Sequence, residues 1–202
     1  MRPILFALLL GLFASSACAQ ARGPKEGDSA RYAEIVQHLQ RGDTLVDYTA
    51  LRFLFARQPR SGKSHPDPGA ELQAAEQAPN HEEARRLVDA LVNDYYGLID
   101  AHMDAAKVFT TRGDTARARF HDAVVRGMIR SMEDAARARS DGAMPVISIS
   151  EEYAFLRARG LERRGQALAS CGKDRCDVLT AFDPKTNKTT RYAFVLTWYD
   201  DD

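Results

Sequence analysis

The sequence predicts an α+β fold: stacked antiparallel helical hairpins followed by a small, mostly antiparallel sheet of three or four strands. Three observations predict it. Apolar residues recur at helical spacing through 29–139 and are interrupted at glycine- and proline-marked corners. From residue 145 the pattern changes to short β-rich runs bounded by turn residues. Two cysteines, Cys171 and Cys176, bracket one of those turns.

The first nineteen of the 202 residues read as an export signal. Arg2 supplies positive charge, Ile4 to Phe13 is apolar but too short to span a bilayer, and Ala17-Cys18-Ala19 fits a small-residue cleavage site. Mature protein would begin at Gln20. Cys18 leaves a second route open, acylation of a lipoprotein, although Ser15 stands where that signal usually has Leu. The expected location is the periplasm or outside the cell, with an outer-membrane lipoprotein anchored through Cys18 as the alternative. The mature chain carries 27 basic and 28 acidic residues. Such a balance has no excess to hold a phosphate backbone, so nucleic acid is not an expected partner. No second apolar run offers a transmembrane helix.

Residues 20–28 read as a flexible leader. Ser29 is placed to cap a first helix carrying Tyr32, Ile35, Val36 and Leu39, which Gly42 ends. Asp43 or Thr44 would cap a second, mostly apolar helix from Tyr48 to Phe55. A breaker-rich loop follows Pro59, then a short helix over 70–77. Asn80 would cap the next helix, with Glu82 and Glu83 at its positive end. After Tyr95-Tyr96-Gly97 comes the stripe Leu98, His102, Ala105, Phe109, and then a long helix from about Thr115 to Arg137. The tetrapeptide Arg-Gly-Asp-Thr occurs at 41–44 and again at 112–115. Both copies sit where one helix ends and another begins, so Gly as closer and Asp or Thr as opener account for them without an adhesion role. With the Pro79-Asn80 turn between them, the corners suggest three helical hairpins of about 35 residues, the period of tetratricopeptide-like units, although the residue signature of such repeats is missing.

Residues 145–202 form the second region, expected to pack as one unit with the helices. Pro145 to Ile149 reads as a strand, and Ser148 with Glu151 has capping-box spacing for a two-turn helix ending at Gly160. Three runs, 165–171, 176–183 and 190–199, form a meander joined by turns at 172–175 and 183–188. Cys171 and Cys176 are expected to form a disulfide between directly opposed strand residues, in keeping with export. The spacing is not that of a redox motif, and no histidine follows His121 to complete a zinc site.

At 47–53, in the two histidine-bearing helices and at 145–160, the chain resembles a family of secreted bacterial proteins known only as a domain of unknown function. The family pattern has Gly-Asp-Gly before the strand, where this chain has Ser140-Asp141-Gly142. The resemblance implies export and a shared scaffold over most of the mature chain. It implies no activity, cofactor or catalytic residue.

Two imidazoles are the candidate chemistry. If their helices form a hairpin around Gly113, His102 and His121 differ in distance from the turn by three residues, about 4.5 Å along the axis, and can face each other. With Glu151 they are candidates for acid–base work, and with Asp122 for a metal; Asp100, Asp104 and Glu152 are near enough to be considered. The simpler expectation is a pair of hydrogen-bonded structural histidines. Ser61 to Ser64 lacks the leading glycine of a phosphate loop, and no nucleophile elbow exists. Arginines 117, 119, 126, 130, 137 and 139 read as a salt-laced helix surface. No cofactor is expected. The function expected is a non-catalytic module binding a protein or peptide of the cell envelope, with a small metal binder or hydrolase-like enzyme using His102 and His121 as the alternative.

Overall fold

A computed structural model describes residues 25–58 and 69–197. The export signal, Cys18, the start of the leader, the Ser61–Ser64 loop and the last five residues lie outside the described residues. The helices are α1 (Asp28–Gln40), α2 (Tyr48–Arg57), α3 (Gly69–Glu76), α4 (His81–Asp94), α5 (Ile99–Thr111), α6 (Thr115–Ala138) and α7 (Ile149–Arg159). The strands are β1 (Met144–Val146), β2 (Glu162–Cys171), β3 (Asp174–Asp183) and β4 (Lys188–Leu196). The α+β class read from the sequence is the class observed.

Three helix pairs turn at the three expected corners. The start of α1 meets the end of α2 through Asp28 and Arg57, 2.9 Å apart, so that pair is antiparallel. Asn80 caps α4 by accepting from the Glu83 N–H at 2.9 Å. Gly42 and Gly113 both take left-handed φ, +87° and +79°, and the next N–H donates back across the last turn: Asp43 to the His38 carbonyl, Asp114 to that of Phe109. That is the hydrogen bond a Schellman closure supplies to an orphaned helix carbonyl.

The helix starts differ from expectation in two places. Gly27, not a side chain, precedes α1, and the Ser29 hydroxyl donates instead to Gln58 at the far end of α2. Asp47, not Asp43 or Thr44, caps α2 by accepting from Ala50 N–H at 2.9 Å. The first tetrapeptide lies ahead of a short connector, so its Asp is too early to reach the free amides of α2.

In the sheet the order is β1-β4-β3-β2. The meander β2-β3-β4 is antiparallel, and β1 joins parallel to β4. A disulfide joins Cys171 and Cys176, with Cα atoms 5.8 Å apart. Their register corrects the expectation: Cys171 faces Asp174 and Cys176 faces Ala169, so the bridge runs diagonally across one face. The reason is the loop, which is only Gly172-Lys173, with Asp174 and Arg175 already in β3. Helix α7 has eleven residues, three turns rather than two. Its Phe155 packs on Tyr192 and Phe194 at 5.4 and 5.6 Å, while Val178, Val195 and the cysteines form a separate apolar layer on the other face. Alternate β4 residues thus serve opposite faces.

A buried ion pair clamps sheet and helices together. Arg52 of α2 is fully buried, and Glu151 of α7 is almost so. The guanidinium donates through Nε and Nη2 to the two carboxylate oxygens at 2.7 and 2.8 Å, and further to the Pro145 carbonyl and the Ser131 hydroxyl. Glu151 also accepts from the Ile147 N–H at 2.9 Å. The capping-box spacing was therefore only half informative. Ser148 does cap α7, but Glu151 turns to Arg52 and to Ile147. Access to Arg52 depends on Gly127 of α6. A Cβ there would stand 2.2 Å from the Tyr48 ring, and Tyr48 and Arg52 are one turn apart, as are Gly127 and Ser131. The missing side chain lets α2 press onto α6 closely enough for Arg52 to reach its partners.

Candidate functional site

Hairpin α5/α6 brings the two imidazoles together. His102 is fully buried and His121 nearly so. Their Nδ1 atoms lie 3.0 Å apart, and His102 Nε2 lies 3.0 Å from the carbonyl oxygen of Tyr96. The facing that the hairpin would permit thus occurs, with the two rings three residues apart in their distance from Gly113.

Elementary hydrogen-bond rules fix the protons. A carbonyl oxygen only accepts, so His102 carries its proton on Nε2. Neutral His102 then has a bare Nδ1, and the proton between the rings belongs to His121 Nδ1. The remaining nitrogen, His121 Nε2, is left as a bare acceptor. Both rings stay neutral because they are dehydrated. Burial lowers the pKa of His102 to about 4, against a smaller upward push from the Tyr96 hydrogen bond. Burial, then His102, then Arg117 lower that of His121 to about 3. Aromatic rings hold the pair in place: Phe109 stacks on His121 at 5.5 Å, Phe120 meets it edge-on at 5.1 Å, and Tyr96 meets His102 edge-on at 5.1 Å.

His121 lines a cleft of about 560 Å³ between the end of α1, α4 and the first turns of α6. Leu39, Val92 and Phe120 supply apolar wall beside the polar Gln40, Arg41, Asp89, Asn93 and Arg117, and Tyr96 shares the floor with His121. Asp89 and Arg117 form an ion pair at 2.9 Å, and Gln40 donates to Asn93 at 3.1 Å, so those polar residues of the lining already have partners. The Tyr96 hydroxyl makes no hydrogen bond among the described residues. Burial first, then Asp89 and Tyr48, push its pKa up to about 12, so it keeps its proton.

Of the other candidates, the fold brings none to the histidines. Glu151 is committed to Arg52, whose contact on α6 is Ser131, ten residues along the helix from His121. Asp122 is exposed and lines a separate groove with Met103, Lys107 and Arg157, because the residue after His121 points a full 100° round the helix. Among the described residues no three His, Cys, Asp or Glu side chains stand together as a metal site. Asp100 pairs with Arg157. Asp104 is raised to about 6 by burial and by Asp100. The basic strip is in part laced as expected, through Arg117 to Asp89, Arg137 to Asp134 and Arg139 to Asp141 and Asp174.

Sequence reasoning missed Tyr96 and Arg52. An arginine inside Leu51-Arg52-Phe53-Leu54-Phe55 is itself a signal, since a charge in so apolar a run needs a buried partner. Tyr96 carries no such signal, because in the sequence it is one of a helix-breaking triplet, Tyr95-Tyr96-Gly97. Comparison with protein families, curated proteins and solved structures returns no match.

Proposed function

We propose that this chain is an exported protein of the cell envelope that acts without catalysis, by binding a protein or peptide segment in the cleft over His121. One observation carries the reading. A buried, neutral imidazole keeps a single uncommitted acceptor at the floor of a partly apolar cleft, while its other nitrogen is consumed in holding it still. Binding sites are built this way, with few polar groups fixed among apolar ones. A general base at pH 7 would need a pKa far above about 3. The disulfide is compatible with an oxidising compartment.

Affinity capture from envelope extracts with the mature chain tests it. Phe120→Glu places a charge in the cleft wall from a partly exposed position. A polypeptide retained by the wild type and lost with Phe120→Glu is the expected result. Identical retention by both proteins would remove the cleft from the account. Stoichiometric metal in the purified wild type, lost with His121→Ala, would replace this reading with the metal-binding one.

A further inference from the structure

We propose that the cleft reads an uncharged amide, the peptide group of a polypeptide, with His121 Nε2 accepting from its N–H and the Tyr96 hydroxyl donating to its carbonyl. This rests on the binding role proposed above and names the chemistry that role would use.

The argument begins at a backbone oxygen. The Tyr96 carbonyl accepts from His102, which sets the proton on His102 Nε2 and thereby leaves its Nδ1 to accept from His121. The chain of two bonds ends at His121 Nε2, which can accept but not donate. His121 is 6% exposed, its ring is gripped by Phe109 and Phe120, and it borders the cleft. A proton on His121 Nε2 would leave two bare lone pairs facing each other between the rings or require an imidazolium in a buried site, and both are costly. The second free group is the Tyr96 hydroxyl, on the same residue whose carbonyl starts the chain. Tyr96 is 3% exposed and lines the same cleft.

One fixed acceptor and one hydroxyl donor call for a ligand bearing a donor and an acceptor side by side. An amide has both and carries no charge. A carboxylate offers two acceptors, so it meets Tyr96 but repels the lone pair on His121 Nε2. Of the two arginines in the lining, Arg117 is already held by Asp89 and Asp114, and Arg41 is exposed and donates to Gln37, where its charge is screened by solvent. The apolar walls suit an aliphatic side chain beside the amide.

Nitrogen NMR of the mature, ¹⁵N-histidine-labelled protein at pH 7 comes first. His121 Nε2 and His102 Nδ1 should be bare, with protons on His121 Nδ1 and His102 Nε2. A proton on His121 Nε2 overturns the proposal. Titration with N-acetyl-leucinamide should then shift His121 Nε2, with a dissociation constant on the order of millimolar. N-acetyl-leucine, the free acid, should bind about tenfold more weakly or worse. Tyr96→Phe keeps the ring and its carbonyl, so the tautomers should persist while amide affinity falls about fivefold. Equal binding of the acid, or no response at His121, overturns the proposal. These outcomes separate from those of the capture experiment. A cleft-dependent partner with the wrong tautomer would sink only the amide rule. Amide selectivity without any cleft-dependent partner would sink only the envelope-binding role.

Discussion

Two buried polar pairs hold this molecule, and they differ in what they leave over. Arg52 and Glu151 join α2 to α7 across 99 residues, charged and bidentate, and their remaining contacts go to Ser131, Pro145 and Ile147. Both carboxylate oxygens are engaged, and the pair borders none of the described clefts. His102 and His121 join the two helices of one hairpin, neutral, through a single shared proton, and one nitrogen remains uncommitted beside a cleft. A buried polar cluster whose valences are consumed is scaffold. One that ends on an open valence at a cleft is a candidate for recognition. Burial alone would have ranked the two alike.

The largest effect should come from breaking the charged pair on one side. Glu151→Ala leaves a guanidinium buried with no carboxylate, and should cost about 3–5 kcal/mol in urea unfolding. Arg52→Ala should cost a similar amount. The double change Arg52→Met with Glu151→Leu removes both charges and should recover most of the loss, because the desolvation penalty disappears with the attraction. A loss near zero for Glu151→Ala would mean that the carboxylate is not the partner that keeps Arg52 inside. The neutral pair predicts a smaller response, since His102→Leu removes hydrogen bonds without stranding a charge.

Acid separates the pairs further. The histidines titrate lower when folded, at about 4 and about 3 against an ordinary 6.5, so the unfolded chain binds more protons between about pH 3 and 6.5. Their contribution is complete above pH 6.5 and is lost as the pH falls through that window, with a slope of at most about 1.4 kcal/mol per pH unit for each ring. Glu152 of α7 works in the opposite sense. It is 2% exposed, its Oε2 has no hydrogen-bond partner, and burial, followed by the charge of Asp177, raises its pKa to about 7. The folded protein holds that proton longer, so its contribution is complete below about 4.5 and lost as the pH rises through 7. Stability should therefore fall on acidification below pH 6.5, and Glu152→Gln should gain over the wild type as the pH is raised from 5 to 8. Urea midpoints at pH 4, 5, 6.5 and 8 measure both. A flat profile for the wild type below pH 6.5 would place water at the imidazoles.

Helical periodicity, the switch to β-rich runs and the cysteine spacing were enough to read the hairpin order, the meander and the disulfide. These features repeat locally, so each is written several times along the chain. The sequence showed that His102 and His121 could face each other if their helices formed a hairpin, but not that they do, because the spacing leaves the rotation of each helix open. What was not legible depends on long-range partners. Glu151 looked like a capping residue because its local offset from Ser148 is right, and only Arg52, 99 residues away, explains its other allegiance. Glu152 was considered only as a neighbour of the histidines, and its burial was not legible, since one residue of register along α7 decides whether a carboxylate faces Asp177 or water. The open nitrogen of His121 was hidden for a similar reason: it depends on which atom of His102 meets a backbone oxygen.

The smallest effects test the paired tetrapeptides, where identical letters do unequal work. Asp114 sits directly before α6 and accepts from the Arg117 N–H at 3.1 Å, so Asp114→Ala should cost about 1 kcal/mol by loss of a cap. Asp43 accepts from the Leu45 N–H and holds His38, both exposed, while the cap of α2 belongs to Asp47 four residues later. Asp43→Ala should lower the melting temperature less than Asp114→Ala, and Asp47→Ala, which removes a true cap, should cost about as much as Asp114→Ala. The glycines, by contrast, are equivalent: both are left-handed with open space around the missing Cβ, so Gly42→Ala and Gly113→Ala should destabilise alike. Should Asp43→Ala prove the more damaging, the His38 contact would be contributing more than an exposed pair ordinarily does, and the corner after α1 would count as an organised part of the cleft wall rather than a simple turn.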